Sequence, residues 1–181
     1  MLSKKTLLAA ALIAFGGVTT TTTAIASGTV PSTSTFQVLM TVTSSCTVAA
    51  GTSSNINLGT VAATATSVGA GSQFTVTCSN TTPYNIGLQS QNNASTDGLG
   101  TLKGTGNNTD TLTYQLYYGT SSTGTVWGSN GVTATTTGNG QHGIGTGTAQ
   151  PYKVFAQVTG TTPLAVTPDS YSDTVNVNVY F

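Results

Sequence analysis

The sequence predicts an all-β protein built as a β-sandwich or a β-barrel, and three observations support this fold class. Segments in which apolar and polar residues alternate recur along the chain, separated by Gly, Asn, Ser and Pro. No helical periodicity follows the first 26 residues. Thr and Val, which favour half-buried pleated surfaces, are abundant. Several short strands without helices are typical of sandwiches and barrels.

The amino-terminal segment predicts export. Lys4 and Lys5 precede the uncharged apolar run 7–18, and the small-residue pattern Ala24-Ile25-Ala26 follows it. An apolar run of about 12 residues is shorter than the roughly 20 needed to cross a bilayer. The pattern therefore predicts a signal peptide over residues 1–26, and a mature domain of about 155 residues.

Six segments after residue 26 predict strands, because each presents large apolar residues at alternate positions. They span residues 35–48, 72–78, 84–89, 110–118, 152–158 and 171–181. In the first, Phe36, Val38, Met40 and Val42 share one face, and Leu39 is the one large apolar residue of the other. In the last, the apolar face carries Val175, Val177, Val179 and Phe181.

Turns and loops are predicted between these strands. Residues 80–83, Asn-Thr-Thr-Pro, indicate a turn, and Asp97-Gly98 and Asn130-Gly131 resemble tight-turn pairs. Residues 92–108 and 119–149 are predicted as long polar loops. The second loop contains Trp127, and the sequence leaves open whether packing of this residue orders it.

Charge excludes two classes of partner. Without the signal peptide, two lysines face four aspartates, and the chain has no Arg and no Glu. A nucleic-acid-binding protein needs clustered cations to neutralise phosphates, and a basic membrane-surface patch needs them too. Charge also normally protects strand edges against pairing. A chain with only 4% charged residues is therefore either an ordinary extracellular β-protein or one whose edges are meant to pair.

The even number of cysteines favours a disulfide over a metal site. Cys46 and Cys78 are the only cysteines, and both follow the predicted signal peptide. An even count in an exported protein indicates a disulfide. These two cysteines and the single His142 do not make a ligand set, so no metal or cofactor is expected.

Catalysis is not expected. A catalytic triad needs a nucleophile, a base and an orienting group, and the one histidine, His142, lies in a Gly-rich stretch. Asp169 and Asp173 are four residues apart, but their surroundings indicate a turn entering the last strand.

The two ends of the mature chain suggest intermolecular pairing. The last strand runs to the final residue, so nothing follows it that would cover its outer edge. The first strand follows the small-residue stretch 27–34. One molecule's first strand could therefore complete another molecule's sheet by β-strand addition. Pairing of this strand within its own chain is the alternative.

Four stretches resemble the spore coat U domain family, which includes subunits of archaic chaperone–usher pili of the Csu type. They are residues 36–48, 74–78, 151–158 and 169–181. The fourth is the most specific, because an acidic Tyr-x-Asp-Thr pattern leads into an alternating strand. Residues 92–149 match only loosely.

The resemblance implies an incomplete immunoglobulin-like β-sandwich over residues 44–181 that lacks its last strand. In this family a periplasmic chaperone lends the missing strand. At an outer-membrane usher, the amino-terminal extension of the next subunit, here residues 27–43, replaces it. Repeated donor-strand exchange builds a surface fibre that supports adhesion and biofilm formation.

The resemblance also assigns residues. It implies that Phe36, Val38, Met40 and Val42 fill the donor-strand positions and that Cys46 and Cys78 form the family disulfide. The terminal strand with Val175, Val177, Val179 and Phe181 would flank the acceptor groove. Two alternatives stay open: a coat protein that forms no pili, and a carbohydrate-binding sandwich that uses Trp127.

Overall fold

The computed structural model describes residues 28, 33–62, 65, 67–159 and 166–181. Contacts divide the chain into two units, Met1–Met40 and Thr41–Phe181. The predicted signal peptide, residues 1–26, lies outside the described residues. Among the helices of the described part, none has the length and apolarity to span a bilayer.

Two antiparallel sheets form the second unit. Its nine described strands are β1 (Cys46–Ala49), β2 (Gly69–Cys78), β3 (Pro83–Ser90), β4 (Leu99–Gly104), β5 (Thr111–Tyr118), β6 (Gln141–Ile144), β7 (Gln150–Thr159), β8 (Tyr171–Ser172) and β9 (Val175–Tyr180). The six-stranded sheet has the order β1-β2-β7-β5-β4-β8, and the three-stranded sheet has the order β6-β3-β9. One 3₁₀ turn, Thr52–Ser54, is the only helical element described. The predicted all-β sandwich is confirmed.

The core lies between the inner faces of the two sheets. The alternation read from the sequence places one face of β2, β3, β5 and β7 inside. The buried cluster comprises Phe74, Val76, Cys78, Tyr84, Ile86, Leu88, Tyr114, Leu116, Trp127, Tyr152, Val154 and Ala156. Those four predicted strands are therefore correct, with ends that differ by at most three residues from the sequence-based bounds.

The long loop after β5 is ordered by packing, which answers the question that the sequence left open. Trp127 is 0% exposed, and its indole N–H donates to the carbonyl of Ile86 at 3.0 Å. The buried amide of Asn85 donates to the carbonyl of Thr133 at 2.9 Å and accepts a hydrogen bond from the hydroxyl of Thr137. The loop therefore covers the outer face of β3, which explains why that strand is buried on both faces.

Two strands lie where only loops were predicted. β4 lies within residues 92–108, and β6 lies within residues 119–149. Both are short and contain glycine, and β6 has a single large apolar residue, Ile144. Tertiary pairing rather than local pattern determines such strands: β4 pairs with β5, and β6 pairs with β3.

The last predicted strand, residues 171–181, is wrong as a single element. Asp173 interrupts it, so β8 joins the six-stranded sheet and β9 joins the three-stranded sheet. The Asp173 carboxylate accepts hydrogen bonds from the hydroxyl of Tyr114 at 2.7 Å, the hydroxyl of Ser90 and the backbone N–H of Asn92 at 3.1 Å. These bonds hold the chain where it crosses from one sheet to the other.

The first predicted strand, residues 35–48, is also shorter than expected. β1 begins at Cys46, and no strand is assigned to the described residues 33–45. A strand needs a neighbour for its backbone hydrogen bonds, and residues 36–42 form no ladder within the described part of the chain.

We expect Asp173→Asn to lower the free energy of unfolding by about 2–3 kcal/mol, because the new amide would turn an N–H₂ group toward hydroxyl and backbone donors. Urea unfolding of the purified chain measures this change. Asp97→Asn is the matched control, because Asp97 Oδ1 accepts from the exposed side chain of Asn130 and should cost under about 0.5 kcal/mol. Equal losses for the two variants would show that Asp173 has no special role.

We also expect the fold to weaken in alkali. Burial raises the pKa of Tyr114 above its ordinary 10.0, and the hydrogen bond to Asp173 adds to this; burial and Tyr84 likewise raise the pKa of Tyr152. Because both pKa values are higher in the folded state, their contribution to stability is fully present below pH 10 and is lost as the pH rises further. Urea unfolding between about pH 8 and about pH 11 tests this, and a flat profile would refute it.

Candidate functional site

Two edge strands, one from each sheet, lie beside each other without pairing. β1 is an edge of the six-stranded sheet, and β9 is an edge of the three-stranded sheet. Their Cα atoms come within 8 Å of each other. Within the described residues, however, β1 pairs only with β2, and β9 pairs only with β3. We call this unpaired boundary between β1 and β9, with the residues beside it, the seam.

The seam is apolar and only half closed. Four residues there pack against the core while remaining half-buried: Cys46, Val175, Val177 and Val179. Their neighbours in β2 and β3 are fully buried. Phe181, which follows β9, is 50% exposed. Alternate apolar side chains and a free backbone edge are what an added strand would need, since main-chain hydrogen bonds give affinity and alternate pockets give specificity.

The free edge of β9 lacks the usual protection against pairing. The sequence Val-Asn-Val-Asn-Val-Tyr contains no charge and no proline, the two features that most often guard an edge. The edge of the six-stranded sheet that lies away from β1, where β4 pairs with β8, differs from the edge at β9. There the side-chain amide of Asn92 donates to the carbonyl of Thr101 at 2.8 Å and to that of Ser172 at 2.9 Å. Asn92 therefore bonds to backbone of β4 that the two-residue strand β8 does not reach.

The segment before β1 presents apolar side chains to solvent. Phe36, Val38 and Met40 are 88%, 86% and 85% exposed, and Val42 is 76% exposed. Leu39, which lies between two of them, is 82% exposed. Monomeric proteins rarely expose several large apolar residues within one short segment, so this segment indicates an interaction site.

A disulfide and a pair of hydrogen bonds hold the point where this segment joins the sandwich. Cys46 in β1 forms a disulfide with Cys78, its direct register partner in β2. One residue before it, the carbonyl of Ser45 accepts from the backbone N–H of Ser79 at 2.9 Å, and the N–H of Ser45 donates to Ser79 Oγ at 3.0 Å. A pull on the segment would therefore be passed to β2, an interior strand of the six-stranded sheet.

Other candidate chemistry is not assembled. His142 lies on β6 rather than in a loop, and its Nδ1 is 3.1 Å from Oδ1 of the buried Asn85. Within the described residues, no three His, Cys, Asp or Glu side chains converge on a possible metal position. Trp127 is fully buried, so its ring cannot stack on a sugar.

The comparison with protein families gives a match to the Spore Coat Protein U domain over residues 32–178. The chain belongs to the Spore Coat Protein U domain family. The match begins before the exposed segment and ends within β9, so both parts of the candidate site lie inside this domain.

Solved structures resemble the Spore Coat Protein U domain chain as well. A chain of the CsuC–CsuE chaperone–tip adhesion subunit pre-assembly complex, from the archaic chaperone–usher Csu pili of Acinetobacter baumannii, is 25% identical with a TM-score of 0.51. The match covers 78% of this chain and 40% of that chain. A chaperone–tip adhesin complex of CFA/I fimbriae is 11% identical with a TM-score of 0.45, covering 75% and 41% of the two chains. No curated protein matches.

Two residues that hold the strand edges were not predicted from the sequence. Ser79 and Asn92 act through hydrogen bonds to backbone groups distant in sequence. Asn92 lies two residues after the end of β3. Because Asn is common in turns, this position could have suggested a cap at a strand end.

We expect the double variant Cys46→Ala, Cys78→Ala to lose about 3–4 kcal/mol of unfolding free energy, because the cross-link closes a loop of 32 residues. Urea unfolding of the two proteins measures the loss. Unmodified protein treated with a thiol reductant is the control and should lose a similar amount. Unchanged stability in the double variant would show that the Ser45–Ser79 hydrogen bonds alone hold the start of β1.

Proposed function

We propose that this protein is a structural subunit of a surface fibre and that its residues 27–43 act as the donor strand for a neighbouring subunit. One observation carries the proposal. The same domain exposes an apolar alternating segment before β1 and has an unpaired apolar seam between β1 and β9. A segment of one molecule laid in the seam of another would satisfy both.

The exposure and alternation of the side chains support an assignment of roles. Phe36, Val38, Met40 and Val42 lie on the face that would enter the seam, and Val175, Val177 and Val179 would line it. Burying one large apolar side chain contributes about 1.5–3 kcal/mol. Four of them would contribute roughly 6–12 kcal/mol before the costs of ordering and association. Backbone hydrogen bonds along β9 would then fix the register.

Insertion into a second molecule is favoured over insertion into the same one. Ser45 is held against Ser79, so a segment turning back along β1 would have to reverse within Thr43 and Ser44. Tight two-residue reversals between strands use Gly, Asn or Asp, which adopt positive φ readily. The donor segment and the acceptor site are different surfaces, so the contact between two subunits is head-to-tail. Head-to-tail contacts that do not close into a ring build open filaments.

The assembly route follows from the same seam. An unfilled apolar groove is unstable in water, so a subunit in transit would need a temporary strand. We propose that a periplasmic chaperone supplies it and that an outer-membrane usher directs the exchange. The Acinetobacter baumannii complex is named as a chaperone–subunit complex before assembly of such pili, which supports this route.

The proposal has further parts. It includes export through a signal peptide at residues 1–26, a fimbrial location, and a role in adhesion and biofilm formation. It also includes a structural rather than catalytic role.

Met40→Asp should abolish fibre assembly, because a charge would enter the apolar seam unpaired. Leu39→Asp is the matched control. Leu39 is the next residue and is equally exposed, but it lies on the opposite face of the segment. Neither residue packs in the core, so both variants should fold. Electron microscopy of surface material from cells expressing each variant decides between them.

Two results would contradict the proposal. Normal fibres from Met40→Asp, or from a chain without residues 27–43, would show that the segment does not join subunits. Loss of fibres in both aspartate variants would point to a general effect of charge on export. A surface layer without fibres in the unmodified strain would favour the alternative role as a coat protein.

A further inference from the structure

The outer face of the six-stranded sheet carries a short apolar strip across three neighbouring segments. Tyr117 in β5 is the register partner of Phe155 in β7 and forms an isolated bridge with Val126. On the other side, Phe155 is the register partner of Gly71 in β2. These side chains face away from the core cluster, and Val126 is 38% exposed.

The ring of Phe155 lies over two glycines of β2. A Cβ placed on Gly69 would lie 2.7 Å from Cζ of this ring, and a Cβ on Gly71 would lie 3.4 Å from its Cδ2. Both glycines are therefore covered by one ring, whose two ends span alternate residues of β2. Phe155 is half-buried, so part of its ring remains exposed to solvent, and we call this exposed apolar strip the platform.

Polar groups border the platform on both sides. On one side, Gln115 and Gln157 are register partners, and their side-chain N–H₂ groups donate to protein oxygens while neither Oε1 accepts a hydrogen bond within the described residues. On the other side lies a depression of about 430 Å³. It is lined by Gly71, Ser72, Gln73, Gly119, Thr120 and Lys153.

We propose that this platform binds a pyranose ring of a neutral polysaccharide, with Phe155 and Tyr117 stacking on the ring and the bordering amides meeting its hydroxyls. Stacking of aromatic rings combined with a few polar groups is the usual composition of a small-ligand site. The depression is large enough for a sugar unit, and its polar lining matches hydroxyl groups. The proposal does not depend on donor-strand exchange.

A sugar fits this surface better than a protein does. The apolar strip is three side chains wide and polar on both borders, whereas a stable protein interface buries about 800 Å² on each partner. Lys153 is the one charged residue that lines the depression, so a strongly charged partner would find little complementarity.

Isothermal titration calorimetry tests the proposal with the full chain and three probes: cellohexaose, chitohexaose and laminarihexaose. We expect at least one to bind with a Kd of about 1 mM. Phe155→Leu, which keeps apolar cover over the glycines but removes the ring, should weaken binding about 5- to 10-fold. Phe155→Tyr keeps the ring and should bind as the unmodified chain does. If Phe155→Leu does not fold, Tyr117→Leu replaces it.

Three results would overturn the proposal. One is no heat of binding with about 10 mM of any probe. Another is equal affinity of the ring-removing variants and the unmodified chain, which would place the sugar elsewhere. The third is a protein-concentration-dependent heat of dilution that disappears in Phe155→Leu, which would identify the platform as a contact between copies of the chain. Fibre formation is unaffected by these outcomes, so failure here leaves the proposed function standing.

Discussion

The structure depends on one constraint: every strand needs a partner for its backbone, and the edge strand β9 lies beside β1 without pairing with it. Its inward valines already pack on the core, so the missing neighbour leaves both unpaired backbone and half-covered apolar surface at the same place. The seam therefore offers two kinds of interaction at once. The exposed segment before β1 has the complementary features, an unpaired backbone and alternate apolar side chains.

The position of the seam is set by a change of sheet near the carboxyl end of the described chain. The carboxylate of Asp173 accepts hydrogen bonds from β3, from the turn after β3 and from β5. These bonds fix the point where the chain leaves β8 and enters β9. If residues 171–180 continued as one strand of the six-stranded sheet, β9 would not stand beside β1. A single polar cluster thus converts an uninterrupted apolar alternation into two strands of different sheets.

Strands with one buried apolar face could be predicted from the sequence, whereas strands that form because of pairing with a distant segment could not. β2, β3, β5 and β7 have a buried face of large side chains, and alternation alone located them. β4 and β6 carry glycine and few large side chains, so their strand character comes from the neighbours they pair with. The apolar face of residues 36–42 was evident, but an alternation predicts a strand whether or not the chain supplies a partner. The ordered loop after β5 depends on Asn85, an amide inside an otherwise apolar strand, whose bonds reach residues about 50 positions away.

The contrast between the edges explains how a protein with so little charge could associate in a defined way. Charge and proline are absent from β9, and low charge throughout the chain would leave any free edge open to sheet extension. At β4 the side-chain amide of Asn92 donates to the carbonyl of Thr101, to which an added strand would otherwise bond. The two residues of β8 pair with Lys103 and Gly104 of the same strand. At β1 the disulfide and the Ser45–Ser79 bonds commit the strand to β2. Side-chain hydrogen bonds thus protect one edge without adding charge, and β9 beside the seam keeps the combination of free backbone and apolar side chains that an added strand requires.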